Sequence, residues 1–362
     1  MTQSDEIIIF GLSLSSSWGN GHATTFRALL RGLRAEGRRV LFLERRRPWY
    51  LDNQDLPHPD FCELEFYDDV AQVTARHADR LARAETVIVG SYVPDGQVLI
   101  DALHRMPLRQ LCFYDIDTPV TLDLLARGEE QYLARRQVPV FDCYLSFSGG
   151  RVLDRLREDW GARNPVALYC SVDEAAYRPM DVPMRWDLGY LGTYSPDRQS
   201  GLEALLIEPA RHLPHMRFVV AGSMFPDDID WPTNVDRIDH LPPERHAAFY
   251  NAQRFTLNIT RAAMRALGWS PSVRLFEAAA CGTPIISDRW PGLTELLPDG
   301  QAVILADTTA DVVAALTDMD AQRRQAMAER ARAIILKGHT GRARACDLIQ
   351  ALSRQPHLTA GD

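Results

Sequence analysis

Residues 270–284 read SPSVRLFEAAACGTP. The Ser-Pro-Ser opening has the composition of a helix start. Leu275, Phe276 and three alanines carry the helix, and Cys281-Gly282-Thr283-Pro284 end it. Pro284-Ile285-Ile286 then begins a short apolar run of the kind that forms a buried strand, so the segment is a helix delivered onto a sheet. Such a helix offers unpaired amides in its first turn, around Ser272 and Val273, at the positive end of its dipole. Arg274 and Glu277, three apart, are expected on neighbouring surface positions. Together these groups suit a nucleoside diphosphate: amides and guanidinium meet phosphate oxygens, and the Glu277 carboxylate accepts from ribose hydroxyls. The alternative for Glu277 is an exposed helix residue paired with Arg274 or Arg289.

The same alternation of strand and helix runs through the whole chain. In the first half Ile7-Ile8-Ile9-Phe10, Val40-Leu41-Phe42-Leu43, Val87-Ile88-Val89, Leu111-Cys112-Phe113-Tyr114 and Cys143-Tyr144-Leu145 read as buried strands, with helical patterns between several of them. The second half repeats the theme at 188–191, 218–221, 255–258, 284–286 and 302–305. Alternation of this kind predicts the α/β class, with two doubly wound, Rossmann-like parallel sheets. At 362 residues the chain suits two domains. The stretch 171–187, rich in Pro, Asp and Arg, is the expected hinge, giving domains 1–170 and 171–337 and a terminal piece 338–362. The last two helices are expected over 319–336 and 340–352.

Composition narrows the function classes. A net charge of -8 argues against a nucleic-acid partner, which needs a concentrated positive surface. No apolar run reaches the roughly 20 residues of a bilayer-crossing helix, and the opening MTQSDEIIIF lacks a basic region before its short apolar segment, so a cytoplasmic protein is expected. Six cysteines with no CxxC pair read as free, mostly buried thiols. The run Arg45-Arg46-Arg47 before Pro48-Trp49-Tyr50 is either a solvated loop or the wall of an acceptor pocket.

Three more loops carry candidate chemistry. Gly19-Asn20-Gly21-His22 follows the first strand and enters a helix, so its glycines let backbone approach a ligand, with His22 as proton acceptor or hydrogen-bond donor. The pattern is not GxGxxG, and no nicotinamide cofactor is expected. Tyr114-Asp115-Ile116-Asp117-Thr118-Pro119 ends a strand, where ligands of open α/β sheets collect. One of Asp115 and Asp117 would deprotonate an acceptor hydroxyl while the other orients it; the alternative is that Asp117 or Thr118 caps the next helix. Asp95 is a weaker candidate, with a turn or cap the simpler reading. In the second half, Asn258-Ile259-Thr260-Arg261 ends a strand and offers Arg261 as a further cation.

FEAAACGTPIIS followed by Pro291-Gly292-Leu293-Thr294-Glu295-Leu296 resembles the donor-nucleotide segment of family 4 and related glycosyltransferases. Phe10-Gly11-Leu12, Gly19 to His22, Tyr114 to Pro119 and Gly189-Tyr190-Leu191-Gly192-Thr193-Tyr194 resemble the CgeB-like (spore maturation protein) branch, known from bacteria. The resemblance implies the GT-B architecture: two Rossmann-like domains facing a cleft, the C-terminal helix crossing back to the first. It implies transfer of a sugar from a UDP-, TDP- or GDP-linked donor to an acceptor, with no cofactor and no required metal. The loop Gly19, Asn20 and Gly21 would then lie against sugar or acceptor. Thr193 and Arg198, in the loop after the second domain's first strand, would join Ser272, Val273, Arg274, Glu277 and Arg261 around the donor diphosphate. The sequence departs from family 4 at one place: the second glutamate expected eight positions before Glu277 is Trp269. That departure keeps two further readings open, a sugar-nucleotide 2-epimerase of the same fold and a non-catalytic sugar-nucleotide-binding partner.

Overall fold

The computed structural model describes residues 5–18 and 21–353. Seven strands, β1 (Glu6–Gly11), β2 (Arg39–Arg45), β3 (Glu63–Tyr67), β4 (Thr86–Gly90), β5 (Leu111–Asp115), β6 (Cys143–Ser146) and β7 (Pro165–Ala167), form one sheet in the order 3-2-1-4-5-6-7. Six more, β8 (Trp186–Leu191), β9 (Phe218–Ala221), β10 (Val235–Ile238), β11 (Gln253–Asn258), β12 (Ile285–Ser287) and β13 (Ile304–Leu305), form a second in the order 10-9-8-11-12-13. Every pairing is parallel. Helices cover both faces of such sheets, which is why the central strands are uninterrupted apolar runs: β1 is buried along its whole length. The strands that carry no such run are β3 (ELEFY), β7 (PVA) and β10 (VDRI), and all three are sheet edges. An edge strand has one covered side and tolerates charge, so its apolar signal is weak.

The chain forms two compact units, one running to Ser171 and resuming at Gly341, the other spanning Val172–Thr340. The backbone of Val172 bridges that of Thr340, so both crossings of the chain lie side by side. In the first unit, helix Gly21–Ala35 packs against helix Gly341–Ser353: Phe26, Leu29, Leu30 and Leu33 share a core with Ala345, Leu348, Ala351 and Leu352. In the second unit the core is built from Leu188, Tyr190, Phe218, Phe255 and Leu257 of the sheet with Leu205, Leu206 and Leu316 from helices.

Strand order decides where a ligand can sit. Each sheet reverses direction beside its first strand, between β1 and β4 and between β8 and β11, and the loops leaving the carboxyl ends there diverge to form a crevice. In the first unit these are the loop after Gly11 and the turn at Tyr92; in the second, the loop after Leu191 and the end of β11 at Asn258.

The contact between the two packed helices of the first unit is backbone to backbone. A Cβ at Gly32 would meet the Gly341 carbonyl oxygen at 2.2 Å, and a Cβ at Gly341 would meet the Ala28 carbonyl oxygen at 2.2 Å. Gly→Ala within a helix usually stabilises. Here the sign reverses: Gly341→Ala is expected to lower the urea-unfolding free energy of the first unit by about 1–3 kcal/mol through overpacking, and an unchanged or raised midpoint would contradict this packing.

Candidate functional site

In the second unit the crevice beside β8 is organised by Tyr190, which is buried in that strand. Arg198 donates Nη1–H to the Tyr190 hydroxyl at 3.0 Å, and the Arg274 guanidinium lies over the Tyr190 ring at 4.9 Å. Arg274, on helix Val273–Cys281, also donates to the Leu191 carbonyl oxygen and, at 2.9 Å, to Asn258 Oδ1. A Cβ at Gly192 would lie 2.6 Å from Arg274 Nη2 and 2.9 Å from the Tyr190 hydroxyl, so only glycine leaves room for this stack. Arg261, exposed at the start of helix Ala262–Leu267, adds a third positive charge that acts on Arg198. None of the three arginines forms an ion pair among the described residues. Burial, and then the charges of Arg274 and Arg261, push the Arg198 pKa down, and its Nε has no hydrogen-bond partner among the described residues. Asp197 and Asp288 act on these arginines from beyond ion-pair distance, and the arrangement is a cationic crevice at the carboxyl ends of β8 and β11, suited to a polyanion.

Asn258, fully buried at the end of β11, ties this crevice together, a function no local pattern gives it. Its Oδ1 accepts from Arg274 and from Ser272 Oγ at 2.8 Å, and its Nδ2 donates to Thr260 Oγ1 and Ser287 Oγ. Asp288 continues the network, accepting from the Thr260 amide and hydroxyl; burial raises its pKa. Ser272 is the N-cap residue by position, but its hydroxyl turns to Asn258 and makes no capping bond, so the first-turn amides of Val273 and its neighbours are not closed off by that side chain. Thr193 is exposed in the same loop as Arg198.

The helix itself differs from the sequence expectation. Arg274 to Cys281 are all buried, so Arg274 and Glu277 are not surface neighbours. Glu277 accepts from the Tyr250 hydroxyl at 3.0 Å and is hydrogen-bonded to Tyr177, which keeps it away from Arg274, and Arg289 pairs instead with Asp307. Two tyrosine hydroxyls therefore already occupy part of its acceptor capacity. Trp269 has a left-handed backbone (φ 43°), donates from its ring nitrogen to Glu295 at 3.0 Å, and lies against Gly292, where a Cβ would be 2.4 Å from the indole. The tryptophan thereby fastens the Pro291-Gly292 loop and brings the Glu295 carboxylate alongside it.

In the first unit the structure brings His22, Asp115 and Asp117 together through a residue that the sequence reading passed over. Tyr92, at φ 61°, donates its hydroxyl to Asp117 Oδ2 at 3.1 Å, stands edge-on to the His22 ring at 5.4 Å and packs on Tyr132 at 4.5 Å. Asp95 in the same turn is instead an ion-pair partner of Arg45. Asp115, the last residue of β5, has no exposed surface: Thr121 donates to Oδ1 at 2.6 Å, Tyr144 donates to Oδ2 at 2.7 Å, and the Asp117 amide donates to Oδ1 at 3.3 Å. Burial raises its pKa from 3.8 to about 6. Asp117 is less deeply buried and sits at the N-cap position of helix Thr118–Ala126 without making a side-chain cap, so the capping alternative is not realised. Burial lowers the His22 pKa to about 4, leaving a neutral imidazole at neutral pH.

The loop that leads to His22 is held by Glu44 of β2, whose buried carboxylate accepts from Ser13 Oγ, the Leu14 and Ser15 amides and Ser15 Oγ. Arg27 reaches the Leu14 carbonyl from the other side and pairs with Asp55 at 2.7 Å. Gly21 is the exposed first residue of helix Gly21–Ala35; Gly19 and Asn20 lie outside the described residues. Of the basic run, Arg45 and Arg46 face Asp95 and Asp68, and Arg47 lies near the Trp49 ring at 5.7 Å. Among the described residues there is no cluster of three His, Cys, Asp or Glu side chains able to hold a metal, and no helix long and apolar enough to cross a membrane. Four cysteines are buried, Cys62 is half-buried and Cys346 is exposed.

Residues 198–350 match the family model described as glycosyl transferase-like. Among curated proteins, none matches the chain by sequence. Solved structures match along its whole length at low identity. Sucrose-phosphate synthase from Thermosynechococcus elongatus is 15% identical, with a TM-score of 0.69 over 95% of this chain and 98% of that one. Anabaena HepE in complex with UDP-glucose is 14% identical, with a TM-score of 0.68 over 96% and 99%. An alpha-glucosyltransferase in complex with UDP is 13% identical, with a TM-score of 0.70 over 96% and 100%. The chain has the fold of these proteins, two parallel-sheet α/β units of the GT-B class.

Proposed function

We propose that the protein is a glycosyltransferase that moves a sugar from a nucleoside diphosphate sugar, with UDP the preferred nucleotide, to a hydroxyl acceptor without a metal. The observation that carries the reading is the pair of guanidinium groups on Tyr190, neither of which forms an ion pair among the described residues. The glycosyl transferase-like match over the same unit and the UDP and UDP-glucose complexes of proteins with this fold support it. In this reading the diphosphate lies against Arg198, Arg274 and Arg261 and the first-turn amides at Ser272 and Val273, with Thr193 at its edge. Glu277 accepts from the ribose.

As the bond from the anomeric carbon to the phosphate oxygen breaks, its electron pair goes to the leaving diphosphate, and the fixed guanidinium charges stabilise that developing charge. The acceptor oxygen forms the new bond to the anomeric carbon, and its proton passes to the Asp117 carboxylate. Asp115, sealed behind Asp117, positions the base through the Asp117 amide. Neutral His22 hydrogen-bonds the sugar, and Gly21 with Gly19 and Asn20 allows its close approach.

Two variants test the cationic crevice. Arg274→Ala removes a charge-assisted contact and is expected to weaken UDP binding by about tenfold or more. Tyr190→Phe keeps the ring but releases Arg198, with a several-fold loss. Isothermal titration with UDP and UDP-dependent melting shifts read both, with GDP and TDP as comparison nucleotides. UDP affinity unchanged in both variants would remove the donor assignment.

Asp115 makes a pH prediction. Its raised pKa means that the folded protein binds more protons than the unfolded chain between about pH 4 and 6, so this group's contribution to stability falls as pH rises through that window. The cost at neutral pH is about 3 kcal/mol. Asp115→Asn lacks the slope: between pH 4 and 7 the stability difference from the wild type should move in the variant's favour by about that amount. A pH-independent difference in urea unfolding would show that the buried carboxyl does not titrate in this range.

A further inference from the structure

The second unit holds a cavity of about 530 Å3 that none of the donor residues lines. It opens at the amino ends of β11 and β12, where Arg254 and Pro284 lie, whereas the donor crevice is at their carboxyl ends. Arg254 and Asn258 are four residues apart on β11, a separation of about 13 Å along an extended strand. The cavity's far wall is helix Ala321–Gly338, which contributes Arg324, Gln325 and Arg332.

Its charge is one-sided. Three arginines line it, Arg254, Arg324 and Arg332, against one carboxylate, Glu329. Arg254 is held at 3.3 Å by Asp187, which does not line the cavity. Arg332 donates its Nε–H to the Ala280 carbonyl oxygen at the end of helix Val273–Cys281. Arg324 is partly buried and forms no ion pair among the described residues, and the Arg254 and Arg324 guanidinium carbons lie 5.7 and 5.9 Å from the same Phe255 ring centre. The two guanidinium charges repel one another. Burial, and then the Arg254 charge, hold the Arg324 pKa below its ordinary value against the opposing pull of Asp187 and Asp320. A dianionic oxyanion bound by both arginines supplies the direct partner that Arg324 lacks among the described residues and matches the planar guanidinium fork. The volume lies within the range of small-molecule sites and exceeds what a bare phosphate fills. The remaining wall mixes amide and apolar side chains, with Asn251 and Gln325 beside Pro179 and Met184.

We infer that this cavity binds a small phosphate monoester, its phosphoryl group between Arg254 and Arg324 and its organic part against the amide and apolar wall. The site is separate from the proposed donor crevice, and its test is independent of the sugar-transfer reading. Titration calorimetry of the full chain saturated with UDP uses ribose 5-phosphate, inorganic phosphate and ribose as probes. Ribose 5-phosphate is expected to bind more tightly than inorganic phosphate, and ribose not at all. Arg324→Gln should weaken ribose 5-phosphate at least about tenfold, as loss of a charge-assisted contact does, while leaving the UDP-induced melting shift intact. Glu329→Gln, at an exposed position, should tighten it several-fold by removing the opposing carboxylate. Should Arg324→Gln unfold, Arg324→Lys, which keeps the charge but loses the planar fork, should bind ribose 5-phosphate several-fold more weakly than the wild type. The inference is overturned if ribose 5-phosphate does not bind, if inorganic phosphate binds as tightly, or if binding is insensitive to both Arg324 and Glu329. Loss of binding in Arg274→Ala with none in Arg324→Gln overturns it too, since the anion then sits in the donor crevice. Failure of UDP itself to bind counts against the donor assignment alone.

Discussion

Two guanidinium groups on one tyrosine set the terms for the second unit. Arg198 and Arg274 repel, and neither forms an ion pair among the described residues, although the Asp197 and Asp288 charges act on them from farther off. What holds them is neutral: the Tyr190 hydroxyl and ring, the Leu191 carbonyl and the Asn258 side-chain oxygen. Each of these sits at or near the end of β8 or β11, so the sheet's reversal of strand order is also what places the charges. Gly192 is part of the same constraint, because any side chain there displaces Arg274. A site held by neutral partners keeps its positive charge available for an anionic ligand, which an ion pair would have spent.

The first unit solves the opposite problem, keeping carboxylates buried beside a ligand-facing loop. Glu44 is satisfied by four donors from Ser13, Leu14 and Ser15, and Asp115 by two hydroxyls and an amide. Both carboxylates shape loops without reaching solvent, and Asp117, through Tyr92, is the acid left closer to the surface. Buried polar groups are costly unless fully bonded, and here the bonding fixes the loop conformation at the carboxyl ends of β1 and β5.

Most of the architecture was legible in the chain because central parallel strands must be apolar on both faces. The runs at 7–10, 40–43, 87–89, 111–114, 218–221 and 255–258 announce themselves for that reason. The edge strands β3, β7 and β10 escaped notice for the complementary one. Site loops were legible where a strand end met glycine, proline or a cluster of polar residues, as at Gly192 and at Asp115. Tyr190, Asn258, Tyr92 and Glu44 were not assigned roles, because a buried tyrosine, asparagine or glutamate declares its function only through partners distant in sequence. Trp269 belongs with them: its indole reaches Glu295 across 26 residues of chain.

By itself, then, the sequence determined the α/β class, the alternation that makes two parallel sheets, and the helix at 273–281 with its arginine and glutamate. Those features follow from local periodicity and from the residues that start and stop helices. Tertiary structure alone decided that Arg274 turns to Tyr190 and Asn258 rather than to Glu277, and that Glu277 turns to Tyr250. It also decided that Arg254 and Arg324, 70 residues apart, share one ring and one cavity. Spacing along a helix says which side chains are neighbours on a cylinder; which of them become partners depends on what the sheet packs against each face.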